Sequence, residues 1–345
     1  MAKIALDMTP TLNANKYRGV GRYTSNLIGA LKRYDKLNEY ILCSRNQKLP
    51  SVDLIHYPYF DLFFLTLPIF KRVKTIVTVH DVIPLIFPQN YPVGIKGKLR
   101  FEIQRMSLKS VNAIITDSCQ SKEDILKYLR ISKEKIFVVH LAADPIFKPL
   151  SESEAKKLTK KYSLPSKFVL YVGDINYNKN IPRLLEAVKK VGCNLVLVGM
   201  AFKNEDIFQT KEILSLIIKF NLEKKVWRLG YVGNSELCGL YNLADAYIQP
   251  SLYEGFGLVI VEAMACGAVV ACSDIPVHRE VAGDGASYFD PKDENKIAEV
   301  LNRLFKADGD KLKLQKRESI GQAKKFSWQK TVRDTVKVYG RVLSS

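Results

Sequence analysis

The sequence AYIQPSLYEGFGLVIVEAMACG, residues 246–267, indicates the fold of the chain. Its first four residues are a mainly apolar run typical of a buried strand, the turn at 250–257 contains two glycines, and 258–266 predicts a helix. Strand–turn–helix units of this kind build parallel sheets, and such sheets bind ligands where their strands end. We therefore expect this turn to lie at a ligand-binding edge.

The turn combines features that suit a ligand with a phosphate and several hydroxyls. Gly255 and Gly257 carry no Cβ, so the main chain can approach a ligand closely. The free N–H groups at the start of the following helix favour an anion. Glu254 and Glu262 flank that anion site, and carboxylates accept strong hydrogen bonds from hydroxyls. A nucleotide-sugar, with its ribose, diphosphate and hexose, carries these groups in a matching arrangement.

Similar units run along the whole chain. Apolar runs of four to six residues alternate with amphipathic stretches, which predicts parallel α/β sheets. The expected strands are 4–8, 40–43, 54–57, 75–79, 113–116 and 136–140, then 168–172, 195–198, 226–229, 246–249, 268–272 and 287–289.

The series restarts near 150–166, which predicts two domains. Ser151 and Glu154 form a capping box that opens a helix, and Pro165 ends it. We expect a Rossmann-like acceptor domain over 1–162 and a Rossmann-like donor domain over 163–327. A helical stripe over 328–345 predicts a last helix that packs on the first domain.

Length and composition exclude several classes of protein. Of the 345 residues, 47% are hydrophobic and 26% charged, which is typical of globular domains rather than disordered chains. The most apolar stretch, 62–70, is much shorter than the about 20 residues of a membrane span. The cysteines and histidines lack zinc-site spacing, and the first residues contain no secretory leader. We expect a cytoplasmic protein without a bound metal.

The net charge of +18 points to an anionic partner for the first half of the chain. Residues 1–165 contain 27 basic and 14 acidic side chains, whereas 166–345 contain 26 and 21. A nucleic acid, a phosphate-bearing substrate or an acidic membrane surface would complement this charge, and a merely basic surface is the alternative. The basic residues are dispersed without a nucleic-acid-binding motif, so we expect no nucleic acid as partner.

Several motifs together resemble a known family. They are RGVGRY at 18–23, VHD at 79–81, VHLAAD at 139–144, YVGDINYNKN at 171–180, LADAYIQPS at 243–251, the E-x7-E element at 254–262 and FSW at 326–328. In this order and at these spacings, the chain resembles the retaining glycosyltransferases of family 4, in particular its mannosyltransferases. The resemblance implies the GT-B fold, in which two Rossmann-like domains face each other and a C-terminal helix crosses back to the first.

The resemblance also implies the site residues. Glu254 would contact hydroxyls of the donor hexose, Glu262 would bind the ribose, and Lys179 would neutralise the diphosphate. His80 would face the donor sugar near the reacting carbon, with Asp81 orienting its imidazole. Further donor contacts are expected at Gly19, Gly21, Tyr231, Val232, Gly255, Phe256, Gly257, Leu258 and Val259.

Structural explanations for some of these residues remain open. Gly19 and Gly21 would then serve tight turn geometry alone, His80 a structural role, and Lys179 would be a solvated side chain. The chain also departs from the family pattern, because Asp174 and Asn178 occupy positions where the family often has arginines. Lys179 would then carry more of the leaving-group stabilisation, or Arg183 would help.

The implied reaction transfers a hexosyl unit from a nucleoside-diphosphate sugar to a hydroxyl, with retention at the anomeric carbon. GDP-mannose is the expected co-substrate, no metal or other cofactor is implied, and a lipid-linked or growing surface polysaccharide is the expected acceptor. Residues 57–70, beside Lys71, Arg72 and Lys74, would rest on the inner face of the cell membrane, or else form buried core. A sugar-nucleotide epimerase or a phosphorylase of this fold is the alternative function, and a basic nucleic-acid-binding protein is a distant one.

Overall fold

Two parallel six-stranded sheets organise the chain, as the sequence predicts. The computed structural model describes residues 1–45, 47–48 and 51–345. The chain divides into a first unit, Met1–Leu141 with Ser327–Ser345, and a second unit, Ala142–Phe326. No helix within the described ranges is both long and apolar enough to span a membrane.

The first unit alternates strands and helices. They are β1 Lys3–Asp7, α1 Thr9–Leu12, α2 Gly19–Tyr34, β2 Glu39–Cys43, β3 Leu54–Tyr57, β4 Lys74–Thr78, α3 Ile83–Ile86, α4 Ile95–Lys109, β5 Ala113–Thr116, α5 Cys119–Asp124 and β6 Ile136–Val138. The strands pair in parallel in the order β2-β1-β3-β4-β5-β6. All four residues of β5 are buried, as expected of an apolar strand inside a parallel sheet.

The second unit repeats this pattern. Its elements are α6 Glu152–Lys161, β7 Val169–Val172, α7 Ile181–Val191, β8 Leu195–Val198, α8 Phe208–Lys219, β9 Val226–Gly230, α9 Asn234–Leu243, β10 Ala246–Gln249, α10 Leu258–Ala265, β11 Val270–Ser273, α11 Pro276–Ala282, β12 Ala286–Phe289, α12 Glu294–Lys306 and α13 Gly309–Ala323. The strands are again parallel, in the order β12-β11-β10-β7-β8-β9.

The last helix, α14 Trp328–Ser344, packs in the first unit, as predicted. Its Tyr339 hydroxyl lies 2.7 Å from Nδ1 of the fully buried His56 in β3, and Nε2 of His56 lies 2.8 Å from the Thr78 hydroxyl. Thr331 donates a hydrogen bond of 2.7 Å to the carbonyl oxygen of His140. Buried polar groups that satisfy each other in this way tie α14 to the sheet.

Two features differ from the sequence-based expectation. The expected domain boundary was 162, whereas 142–162 group with the second unit because α6 packs against α9. The Tyr162 hydroxyl donates to Glu236 of α9 at 2.8 Å, and Lys161 pairs with the same carboxylate. The short helices α1, α3 and α11 were not predicted, since their lengths of four, four and seven residues are too small to show a clear helical period.

Candidate active site

In the parallel sheet of the second unit, the order in which successive strands are added reverses between β7 and β10. From β7, the chain builds outward through β8 and β9 on one side, and from β10 through β11 and β12 on the other. Sheets of this order bind ligands at the reversal, beyond the carboxyl ends of the two central strands. Lys179 follows β7 and Glu254 follows β10, so the topology brings both predicted residues to that point.

Lys179 and Glu254 form an ion pair there. The Lys179 ammonium lies 2.7 Å from one carboxylate oxygen and 2.8 Å from the other, and the side chains are 18% and 9% exposed. Ser251 and Gln249 donate further hydrogen bonds to Oε1, at 2.7 and 3.0 Å. Burial alone would raise the pKa of Glu254, but the Lys179 charge and these hydrogen bonds outweigh it and lower that pKa. Glu254 is therefore an ionised acceptor at neutral pH.

Two asparagines join the loops that carry this pair. Asn178 donates through Nδ2 to the carbonyl of Tyr253 at 2.9 Å, and Asn180 donates to the carbonyls of Pro250 and Pro291 at 3.0 and 2.7 Å. Both asparagines are buried. Asn178, which replaces a charge expected from the family pattern, therefore holds the Lys179 loop against the Glu254 turn.

The glycine turn leads into α10 with its first amides at the same edge. Gly257 precedes the helix with φ of +93°, a conformation that side chains disfavour. The ring of Phe256 is buried and perpendicular to that of Phe326, with centroids 5.8 Å apart, so this side chain anchors the turn. Gly255 is also buried, whereas Leu258 and Val259, the first two helical residues, are half-buried.

Glu262 lies one helical turn further and is fully buried. The Tyr241 hydroxyl of α9 donates to its carboxylate across 3.5 Å. Both acidic residues of the E-x7-E element are therefore buried in the second unit, Glu254 in the turn before α10 and Glu262 on the helix itself. The structure brings Glu254 and Lys179 into contact, and their roles towards a ligand stay predictions.

His278 of α11 was missed at the level of sequence. Its Nδ1 donates to the carbonyl of Ser273 at 3.0 Å, while its buried Nε2 has no hydrogen-bond partner. A Cβ built on Gly257 would lie 3.9 Å from this nitrogen, so the imidazole underlies the glycine turn. Burial lowers the pKa of His278 to about 4, which keeps the ring neutral and leaves Nε2 an acceptor. A lone histidine in a seven-residue helix carries no local signal of this placement.

Tyr231 and Val232 follow β9, which is separated from β7 by β8. They lie at the same edge of the sheet as Lys179, and the usual strand spacing puts β9 roughly 10 Å from β7. The Tyr231 side chain is 58% exposed, whereas Val232 is buried. An exposed ring beside the edge leaves a flat surface on which a planar group can pack.

His80 in the first unit pairs with a residue that the sequence did not indicate. It follows β4, and its Nδ1 lies 2.6 Å from the carboxylate of Asp117, which follows the neighbouring strand β5. Its Nε2 lies 3.1 Å from the carbonyl oxygen of Pro58. The expectation that Asp81 orients the ring was wrong, because both ring nitrogens are bound by other groups, Asp117 and the Pro58 carbonyl. The Asp81 carboxylate accepts the amide of Ile83.

The environment of His80 favours the charged ring. Burial would lower the pKa of His80, but the charge and hydrogen bond of Asp117, with smaller effects of Asp81 and Pro58, raise it overall. Both ring nitrogens face acceptors, and only an imidazolium donates from both nitrogens at once. These surroundings therefore favour an imidazolium that donates to both acceptors.

The two glycines of the first turn differ in their surroundings. A Cβ on Gly21 would come within 2.3 Å of the carbonyl oxygen of Asn15, so close packing inside the unit accounts for this glycine. A Cβ on Gly19 would meet no atom within 4 Å. Packing therefore explains Gly21 and leaves Gly19 with open space beside its main chain.

Comparisons with known proteins agree with this geometry. The family model described as Glycosyl transferases group 1 matches residues 154–327, and that of Glycosyltransferase Family 4 matches 36–146. O-antigen chain mannosyltransferase B of Escherichia coli is 30% identical over 276 residues, which cover 77% of this chain and 70% of that protein.

Two further proteins extend the comparison. The N-acetylgalactosamine-N,N'-diacetylbacillosaminyl-diphospho-undecaprenol 4-alpha-N-acetylgalactosaminyltransferase of Campylobacter jejuni is 30% identical over 232 residues, 65% of this chain and 59% of that protein. Anabaena HepE, solved in complex with UDP and glucose, shares the fold over 99% of both chains, with a TM-score of 0.76 and 18% identity. The chain belongs to the family 4 glycosyltransferases.

Proposed function

We propose that the protein is a retaining hexosyltransferase that moves mannose from GDP-mannose to a hydroxyl of a lipid-linked or growing surface polysaccharide. The observation that carries this proposal is the Lys179–Glu254 pair at the strand reversal, next to the amides that open α10. The Escherichia coli relative, an O-antigen chain mannosyltransferase, supports the choice of mannose and of a polysaccharide acceptor.

The site offers a separate group to each part of such a donor. The amides at Leu258 and Val259, at the positive end of α10, and the Lys179 ammonium suit the diphosphate. The ionised Glu254 suits the hexose hydroxyls, and the buried Glu262 suits the ribose hydroxyls. The exposed ring of Tyr231 and the main chain at Val232 suit the base, and Gly19 leaves room for close main-chain approach in the first unit.

The proposed chemistry follows from these assignments. The bond between the anomeric carbon and the phosphate oxygen breaks, and the acceptor oxygen bonds to that carbon on the same face. The departing phosphate takes the proton of the acceptor hydroxyl, and Lys179 stabilises the charge that grows on the diphosphate. Both Glu254 oxygens already accept hydrogen bonds, which suits a residue that positions hydroxyls rather than a nucleophile. In this route the cation at the diphosphate is Lys179, and we propose that no metal is required.

Removing either member of the ion pair is expected to lower turnover. Lys179→Ala and Glu254→Ala should each reduce kcat by about two orders of magnitude, the scale of one lost charge-stabilising contact. The measurement is transfer of labelled mannose from GDP-mannose to a lipid-linked acceptor. Lys190→Ala, which breaks the exposed pair with Glu294, is the matched control and should keep the parent rate. Turnover of both site variants within a few-fold of the parent would contradict the assignment.

His80 is proposed to act in the reaction as a fixed cation, because both ring nitrogens are bound to protein acceptors. A residue in this state contributes charge and shape rather than proton transfer. Asp117 then serves as its positioning residue. The active, protonated ring is present below the raised pKa of His80 and is lost as the pH rises through it.

Asp117→Asn is expected to lower the pKa of His80, since it removes the nearest negative charge and the strongest hydrogen bond. The decline of kcat at high pH should therefore begin at a lower pH than in the parent. The measurements are a kcat–pH profile and an NMR titration of the His80 ring. Asp81→Asn is the control and should shift the titration less, because Asp81 makes no hydrogen bond to the ring. An unchanged profile in Asp117→Asn would refute the role given to this pair.

The acceptor is proposed to bind in the first unit. A cavity of about 320 Å³ lies at the carboxyl ends of β1, β2 and β3, the ligand-binding edge of that sheet. Asp7, Arg45 and Tyr57 contribute to its polar lining, and Leu65, Leu67, Pro68 and Ile69 supply an apolar wall. This mixture suits a saccharide that carries an apolar or anionic group.

The segment 57–70 divides between core and surface. Phe60, Leu62 and Leu67 are buried in the core of the first unit. These side chains therefore form buried core, the alternative to a membrane-binding surface. Phe64 and Phe70 are 62% and 87% exposed, and Leu65 and Ile69 are exposed as well. The Lys71 ammonium bonds to Ser107 at 2.7 Å and that of Lys74 to the carbonyl of Leu343 at 3.0 Å, so both hold the fold together.

Helix α4 supplies exposed cations beside this surface. Arg100 lies over the Phe64 ring at 5.8 Å, and Phe101 packs on Phe63 with ring centroids 6.1 Å apart. Ile95, Leu99 and Met106 are exposed on the same helix. Exposed apolar side chains flanked by Lys96, Lys98 and Arg100 match an anionic bilayer surface, and we propose peripheral binding there.

Phe64→Ser/Phe70→Ser is expected to reduce binding to vesicles that contain phosphatidylglycerol by at least about tenfold, because two phenyl groups no longer enter the interface. Co-sedimentation measures it. Phe208→Ser, which changes an exposed phenylalanine of the second unit, should have no effect. Equal binding of the parent to neutral phosphatidylcholine vesicles would contradict the electrostatic part of the proposal.

A further inference from the structure

Lys179 and Glu254 are each other's partner, although the proposed function assigns them to opposite ends of the donor. Both Glu254 oxygens lie within 2.8 Å of the Lys179 ammonium. An ammonium that turns to a diphosphate gives up these two contacts in whole or in part. Binding of the diphosphate and binding of the hexose are therefore not independent events.

Moving the Lys179 ammonium away from Glu254 costs free energy because the Glu254 carboxylate is buried. Glu254 has 9% of its side chain exposed, and the neutral Ser251 and Gln249 remain as donors to Oε1. A buried carboxylate that loses its cationic partner is strongly destabilised, because its charge is left uncompensated away from water. A ligand that binds the Lys179 ammonium but donates no hydrogen bond to Glu254 therefore leaves the carboxylate destabilised.

The two carboxylate oxygens differ in how they are supported. Oε1 keeps its bonds from Ser251 and Gln249 when Lys179 moves, whereas Oε2 is bound by Lys179 at 2.8 Å. Hydroxyl groups of a hexose can donate to a carboxylate and replace the lost ammonium contacts. In a ligand with both groups, the diphosphate draws Lys179 away from Glu254, and the hexose hydroxyls replace the contacts that Glu254 loses.

We propose that the Lys179–Glu254 pair makes the site recognise the two ends of the donor together, so that a nucleotide-sugar binds more tightly than the nucleoside diphosphate left after transfer. This inference rests on the proposed function. After transfer the hexose stays with the acceptor, so its hydroxyls no longer bind Glu254. Lys179 then pairs with Glu254 again and no longer binds the diphosphate. The ion pair thus promotes product release and limits inhibition by the product.

The test compares ligands that carry one end of the donor with ligands that carry both. Inorganic pyrophosphate probes the diphosphate position without depending on the base, and GDP, UDP, GDP-mannose and UDP-glucose complete the set. Glu254→Gln keeps the shape of the side chain and removes its charge. Isothermal titration should show pyrophosphate and the matching nucleoside diphosphate binding about tenfold more tightly to Glu254→Gln than to the parent, because Lys179 is released. The matching nucleotide-sugar should lose its advantage over the diphosphate.

Two controls show whether the effect passes through Lys179. Glu299→Gln removes the same charge from an exposed pair and should leave all affinities unchanged. In a Lys179→Met background, Glu254→Gln should no longer tighten pyrophosphate binding, as a double-mutant cycle requires for coupled side chains. A melting curve of each variant confirms that it is folded.

The outcomes separate this inference from the function on which it rests. Ligands that bind the parent while Glu254→Gln leaves pyrophosphate and diphosphate affinities unchanged or weaker overturn the inference and leave the proposed function standing. Failure of every nucleotide and nucleotide-sugar to bind the folded parent overturns both.

Discussion

A carboxylate buried at the end of a parallel strand needs a positive partner, and the donor site of this protein is organised around that requirement. Glu254 obtains its partner, Lys179, from the loop after the adjacent strand β7. The asparagines at 178 and 180 fix the distance between the two loops by bonding to main-chain carbonyls of the opposite turn and of Pro291. The geometry of the site therefore depends on strand order first and on side-chain hydrogen bonds second.

The first unit follows the same logic with different groups. His80 and Asp117 follow two neighbouring strands, and their hydrogen bond of 2.6 Å joins the strand ends as the ion pair does in the second unit. Helix α14 supports this sheet from the other end of the chain, through the hydrogen bond of Tyr339 to His56. Each unit thus presents a charged pair at the edge where parallel sheets bind ligands.

Much of this could be predicted from sequence because the signal is local. The twelve strands of the described residues show as apolar runs. The glycines at 255 and 257 indicate a turn, and the E-x7-E spacing places Glu254 in that turn and Glu262 on the following helix. Asp117, Asn178 and His278 lie against residues that are distant in sequence, namely His80, Tyr253 and Gly257, so no local pattern reveals them. Asn178 was noticed only as a missing charge, whereas its bond to the Tyr253 carbonyl depends on β7 and β10 being neighbours.

The most direct test of the central claim is a crystal structure of the protein with an intact nucleotide-sugar such as GDP-mannose. We expect the diphosphate at the start of α10 with the Lys179 ammonium on its oxygens, and a hexose hydroxyl within hydrogen-bond distance of the Glu254 carboxylate. A bound nucleotide-sugar whose hexose lies away from Glu254, with Lys179 still paired to that carboxylate, would contradict it.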